Sequence, residues 1–223
     1  MGKIICVLLT IRIIYGQAAD FNFSSSPPED SKNIIHQTSL WLSEVLMINP
    51  MIQSRLAISF GQSISVSKIN NKHWLLPNFD FGYKVTENLA LTSKIYGFTL
   101  NKDQPQVFGA GAQYFFGDEE KSSVFSVNKS NLKGLKDFRL SGLTLNIQKW
   151  EKWNDALINI GIGSVFFKEV TYNSNVEIPR KIEGQTNFLS FILMKKIYGA
   201  VIGGSLKFHP QRQYISWFIQ KNF

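Results

Sequence analysis

From Arg55 to the last residue, the apolar side chains of this sequence recur with a period of two. In Asn78-Phe79-Asp80-Phe81-Gly82-Tyr83-Lys84-Val85, the residues Phe79, Phe81, Tyr83 and Val85 fall on one side and Asn78, Asp80, Gly82 and Lys84 on the other. A helix cannot separate those two sets; an extended strand does so automatically. The same alternation runs through Leu56/Ile58/Phe60, Phe108/Ala110/Ala112/Tyr114/Phe116, Ile158/Ile160/Ile162 and Ala200/Ile202/Leu206/Phe208. The pattern predicts about ten strands, with eight as the alternative: 54–66, 75–85, 88–100, 106–116, 122–128, 138–149, 155–167, 185–195, 198–208 and 213–223. Segment 122–128 is the least well patterned of them.

Alternation alone fits a soluble sandwich as well as a barrel, so the composition of the two faces has to decide. A water-facing side should be rich in Lys, Glu and Thr. The polar set here is mostly Gly, Asn, Ser and Gln, with Arg55, Asp80, Lys84, Gln113 and Lys207 among its charged and amide members. Small and amide side chains suit the interior of a narrow, filled barrel. Asp80 is expected to pair there with Arg55 or Lys84, because an unpaired charge in such a space costs several kcal/mol. The connections at 86–87, 117–120, 150–154 and 196–197 are short, while 129–137 and 168–184 are the longest. Short turns at one end and longer loops at the other are the membrane-barrel pattern. Trp74, Trp150, Trp153 and Tyr198 are placed near interfacial heights by the same scheme. After the N-terminal segment, no apolar run reaches the roughly 18 residues a membrane helix needs; the longest spans 156–167.

Residues 1–19 read as a removable export signal rather than as part of the fold. Lys3 is followed by the apolar run beginning Ile4-Ile5-Cys6-Val7-Leu8-Leu9, and Gly16-Gln17-Ala18-Ala19 supplies a small-residue exit, so cleavage is expected after Ala18 or Ala19. Cys6 is the only cysteine, so the mature chain has neither disulfide nor thiol chemistry. Residues 20–53 are expected to form a periplasmic leader with a short helix at 38–48, and 54–223 the barrel. Removing Lys3 and Arg12 leaves 22 basic against 16 acidic residues, a formal +6 in place of +8. The basic residues are scattered rather than clustered, which argues against nucleic acid as a partner.

The chain ends Ile215-Ser216-Trp217-Phe218-Ile219-Gln220-Lys221-Asn222-Phe223. Ile215, Trp217, Ile219 and Phe223 share a face, and a terminal aromatic closes the strand. This resembles the C-terminal assembly signature of bacterial outer-membrane β-barrel proteins. The resemblance covers the last strand and the general pattern of 54–223, and it singles out no subfamily. Lys221 departs from it, at a cost of about 0–1 kcal/mol if its ammonium snorkels to the headgroups. The resemblance implies an all-β fold, a single closed antiparallel transmembrane barrel in the cell outer membrane. It also implies partners: outer-membrane lipid, periplasmic chaperones and the barrel-assembly machinery that reads the signature.

The chemistry sought in the sequence is sparse. Gly109-Ala110-Gly111 and Gly161-Ile162-Gly163 lie inside strands, with no helix N-terminus to make a phosphate loop. Three histidines without cysteine give no metal-ligand spacing, so no metal or cofactor is expected. His73 and His209 fall in the first and last outer loops. They become neighbours if the barrel closes, with Ser67 or Ser205 near, as a lipid-modifying enzyme would require. Two solvated loop histidines are the preferred account, because no motif surrounds either. The expected function is a structural, adhesive or ligand-binding role through the outer loops. A narrow channel for small or hydrophobic solutes, a lipid-modifying enzyme and a soluble periplasmic β protein are the alternatives.

Overall fold

A computed structural model of the chain describes residues 17–23, 28–51, 53–69, 71–100, 103–117, 122–172 and 179–223. The body of the expected export signal therefore lies outside the described residues. The elements are β1 (Gln17–Ala18), α1 (Pro28–Leu42), β2 (Leu56–Ser65), β3 (Trp74–Lys84), β4 (Leu89–Gly97), β5 (Gln106–Gly117), β6 (Ser122–Lys133), β7 (Phe138–Trp153), β8 (Ala156–Thr171), β9 (Lys181–Ile197), β10 (Ala200–His209) and β11 (Arg212–Asn222). Strands β2 to β11 are antiparallel neighbours in chain order, β11 pairs back onto β2, and the ring is a closed barrel of ten strands. β1 adds a short parallel pairing, Gln17↔Trp74 and Ala18↔Leu75, on the edge of β3. No helix among the described residues is long and apolar enough to cross a membrane.

Closure runs to the last residue. β11 and β2 pair from Tyr214↔Ser65 to Asn222↔Ala57. Beyond them Phe223 donates its N–H to the Leu56 carbonyl (2.8 Å) and accepts from the N–H groups of Arg55 and Leu56 (3.0 and 3.2 Å). Ile215, Ile219 and Phe223 face outward and are exposed, while Tyr214, Ser216 and Gln220 face the lumen and are buried. Trp217 faces outward and meets Phe60 of β2 edge-on at 6.4 Å. The barrel thus has an end where the strand termini meet, here called the terminal end, and an opposite loop end.

Four strands are longer by several residues than their periodicity suggests, and at the terminal end β7 continues to Trp153 through the turn expected at 150–154. β6 continues to Lys133, so the expected loop 129–137 contracts to 134–137. β8 runs to Thr171 and β9 starts at Lys181, which shortens the loop expected at 168–184. The β8–β9 hairpin stays paired to Val170↔Lys181, whereas β10 leaves β9 at Phe208↔Leu189, so the hairpin projects past the rim. Its outward side carries Lys168, Lys181 and Glu183, with both lysines ion-paired to the glutamate (3.7 and 2.7 Å). Polar residues on both faces read as loop in a sequence. Above the apolar band the outer face is free to be polar, and the ladder continues.

The larger departure concerns the N-terminal segment. The helix spans Pro28–Leu42, not 38–48, and it lies within the barrel rather than forming a leader outside it. Residues 19–23 sit at the loop end, where Phe23 stacks on Phe138 (4.7 Å) and Phe21 meets Trp74 edge-on (5.1 Å). α1 descends from there, and residues 43–51 continue to the terminal end, where β2 begins. The interior is layered. An apolar cluster of Phe21, Ile34, Ile35, Trp41, Trp74 and Phe138 fills the loop half. A second cluster, with Leu46 and Ile48 against Ala57, Ala90, Phe115 and Trp150, fills the terminal end. The helix shows weak amphipathicity because a barrel wall surrounds it, so it needs no single apolar stripe. Trp74 and Trp150, expected near the interfaces, are fully buried in these clusters instead, while Trp153 and Tyr198 are exposed.

Candidate functional site

Between the two apolar layers lies a belt of buried charge that ties the segment to the wall. Lys207 of β10 donates to the Ser43 hydroxyl (2.9 Å) and lies 3.7 Å from the Glu44 carboxylate. Ser216 of β11 also donates to Glu44 (3.2 Å). Lys94 of β4 donates to the Glu44 backbone carbonyl and pairs with Asp80 of β3 at 3.6 Å. All four charged side chains are nearly inaccessible, and each cation faces an anion. Such a cluster is stable only as a complete set, because removing one member strands its partner in a low-dielectric interior.

Amide bonds extend the attachment in both directions. Gln113 of β5 accepts from the Ile48 N–H (3.2 Å) and donates to the Leu46 carbonyl (2.6 Å), holding the extended chain as a neighbouring strand would. Lys84 donates to the Pro50 carbonyl (2.6 Å). Nearer the loop end, Trp41 donates to the Asn78 side-chain oxygen (3.1 Å) and His36 bonds Thr186 (3.0 Å). Gly82 leaves room for the segment: a Cβ there would stand 2.6 Å from Ile48 Cδ1 and 2.8 Å from Leu46 Cδ2, so those side-chain ends would have to shift. Two cavities beside Glu44 measure about 30 and 10 Å³, room for little more than a water molecule. On the opposite wall, polar atoms of Asn146, Gln148 and Asn159 have no hydrogen-bond partner among the described residues. Most of the polar attachment is therefore to β3, β4, β5, β10 and β11.

Of the interior polar residues expected from the sequence, Asp80, Lys84, Gln113 and Lys207 line the lumen and are buried. Arg55 does not: it is exposed at the terminal rim, where its backbone bonds Phe223 and Lys84. Asp80 accordingly pairs with Lys94, a residue that was not singled out, and not with Arg55 or Lys84. Lys94 alternates with Leu91, Ser93 and Ile95 and was legible as an inward position. Glu44 carried no such signal, since its partners lie on strands remote in the sequence.

His73 and His209 are both at the loop end, but they do not form a nucleophile–base pair. His73 Nδ1 bonds the Ser65 carbonyl (2.9 Å), and His209 Nδ1 accepts from the Gln211 N–H (3.2 Å). Ser67 bonds Gln213 (3.1 Å) and Ser205 is a buried lumen residue. Among the described residues no group of three or more His, Cys, Asp or Glu is arranged to hold a metal ion.

The outside of the barrel is apolar. Ile95, Leu91, Ile147, Ile160, Ile162 and Leu189 are among many large hydrophobics from 40 to 67% exposed. A hollow of about 590 Å³ between β7 and β10, lined by Ile147, Ile160, Ile162, Leu189 and Phe191, opens on this outer face. Charged and amide groups inside, and isoleucine, leucine and phenylalanine outside, invert the arrangement of a water-soluble protein.

No protein-family model matches the chain, and no curated protein matches it. Among solved structures it is similar to the translocator domain of the autotransporter NalP from Neisseria meningitidis, with 9% identity over 86% of this chain and 94% of that one and a TM-score of 0.47. It is also similar to the outer membrane protein Omp33 of Acinetobacter baumannii (7% identity, 76% and 98% covered, TM-score 0.38). A third is the Ralstonia pickettii toluene transporter TbuX (8% identity, 78% and 91% covered, TM-score 0.34).

Proposed function

We propose that this chain is a small outer-membrane β-barrel sealed by its own N-terminal segment. In this reading it is a non-conducting envelope anchor that threads α1 and residues 43–51 through its lumen and presents residues 19–23 at the loop mouth. The observation that supports this is the inverted polarity combined with a filled interior. An apolar outer face of this extent is an aggregation liability in water and a match for hydrocarbon. A lumen crossed by α1 and residues 43–51, and bonded to the wall along its length, offers solutes no open path. The export signal at 1–19 and the C-terminal strand, with Phe223 at its end, are the elements that secretion, periplasmic chaperones and the assembly machinery would use.

The test is conductance across a planar bilayer. The full chain is expected to insert without current steps, and a variant lacking residues 28–48 to give stable steps. A heat-dependent mobility shift of each protein on SDS gels verifies that both fold. Steady current through the intact chain, from a protein that shifts normally, would overturn the sealed-barrel reading in favour of a channel.

A further inference from the structure

At the loop end, the β2–β3 connection and the β10–β11 turn enclose a cavity of about 360 Å³ with α1 as its inner wall. That volume is within the range of small-molecule sites, about 300–1,000 Å³. Among the described residues its polar lining is Asn33, Gln37, Ser67, Lys68, Gln211 and Arg212, with no carboxylate. Lys68 is exposed, Arg212 is half-buried, and among the described residues neither has an ion-pair partner. The Arg212 guanidinium donates only to neutral oxygens, those of Asn33 (2.9 Å) and Gln211 (3.3 Å). His36 and His209 lie within electrostatic reach of Arg212 and add no negative charge.

A half-buried guanidinium with no counter-ion among the described residues, with a second cation across a polar cavity, is a place for an oxyanion. Deep in the lumen two buried cations are matched, Lys94 by Asp80 and Lys207 by Glu44. Arg212 has five N–H donors in a planar fork and can engage a tetrahedral oxyanion while keeping Asn33. The cavity also sits low. The β10–β11 connection consists of Pro210 and Gln211, so Arg212 lies at the rim rather than on a tall loop.

We propose that this rim cavity binds a phosphate monoester carried on a sugar-sized headgroup, with Lys68 and Arg212 as the anion contacts and Ser67 and Asn33 beside them. The source of that chemistry is either a phosphorylated glycolipid in the surrounding leaflet or a soluble sugar phosphate. Only the choice of source rests on the outer-membrane reading above.

The experiment uses the full chain in nanodiscs of zwitterionic lipid, titrated calorimetrically with glucose 6-phosphate and with glucose. A second arm measures transfer to phosphatidylcholine vesicles with and without a phosphorylated glycolipid. Saturable binding of a phosphate-bearing probe is expected, absent for its neutral counterpart and weakened by salt. In Lys68→Gln/Arg212→Gln it should fall about ten- to a hundredfold, the range for losing charged hydrogen bonds. Binding in the soluble arm assigns the ligand to free sugar phosphates, and binding only in the vesicle arm assigns it to lipid. Failure of every phosphate probe to bind, or binding unchanged in the double variant, overturns the proposal. Lys68→Gln alone, at an exposed position outside the hydrogen bonds of the rim, keeps the test readable if the arginine variant does not fold. The heat shift reports separately on the barrel itself.

Discussion

Lys207 shows how a single residue can hold this molecule together. It stands on a strand at the far end of the sequence, yet its ammonium meets Ser43 and Glu44 of the plugging segment. Replacing it with methionine leaves Glu44 buried without its cation, a change that costs about 3–5 kcal/mol. Lys207→Met is therefore expected to lower the midpoint of urea unfolding in vesicles, and the double variant Lys207→Met/Glu44→Gln to recover part of the loss. A single variant as stable as the parent would show that the pair contributes nothing. Gly82 gives a second handle on the segment, because a larger side chain there displaces the side-chain ends of Ile48 and Leu46. Gly82→Val should loosen the terminal end of the segment while the barrel still closes, read as leak current from a protein with a normal heat shift.

At the level of elements, the outward faces can be graded by depth. Ile162 sits well inside β8 and is 58% exposed, whereas Leu56 begins β2 at the terminal rim and is 39% exposed. In hydrocarbon an arginine at mid-depth costs about 2–4 kcal/mol and one near the interface about 0–1. Ile162→Arg should thus destabilise the folded protein in vesicles far more than Leu56→Arg. Equal and small effects would mean that both positions face water. The polar stretches that end β6 and the β8–β9 hairpin look like loops in the sequence because their outward positions carry Lys129, Lys133, Lys168 and Glu183. In a membrane barrel those positions need be apolar only within the bilayer, and the ladder itself continues for as long as backbone groups find partners.

For the whole molecule, the path of the chain carries the functional reading. The segment enters the lumen at the loop end, where the Phe23 N–H donates to Asp137 (2.6 Å), and leaves it at the terminal end, where Lys84 holds Pro50. An epitope inserted at Asp20 is accordingly expected to bind antibody on intact cells. The same epitope in the β9–β10 turn at Tyr198–Gly199 should bind only after permeabilisation. Labelling of the turn alone would reverse the orientation, and labelling of both sites on intact cells would contradict a passage from one side of the membrane to the other. The mature protein should also resist carbonate extraction of membranes, and release by carbonate would contradict residence in a bilayer.

The period-two pattern determined which segments are strands and which side of each faces inward, because the alternation of side chains along a strand is a local property. It sufficed to place Asp80, Lys84, Gln113 and Lys207 on the inner side and Ile215, Ile219 and Phe223 on the outer. Rim height is not local, and Arg55, on the terminal rim, was misplaced for that reason. Only the closed structure decided what fills the interior. Residues 28–51 have no strong pattern of their own, and their hydrogen bonds to the wall reach residues 34 to 179 positions away in the chain. Pairings at that separation depend on closure of the ring: Lys94 meets Asp80 across the local β3–β4 hairpin, but it reaches Glu44 only when the threaded segment lies inside the closed lumen.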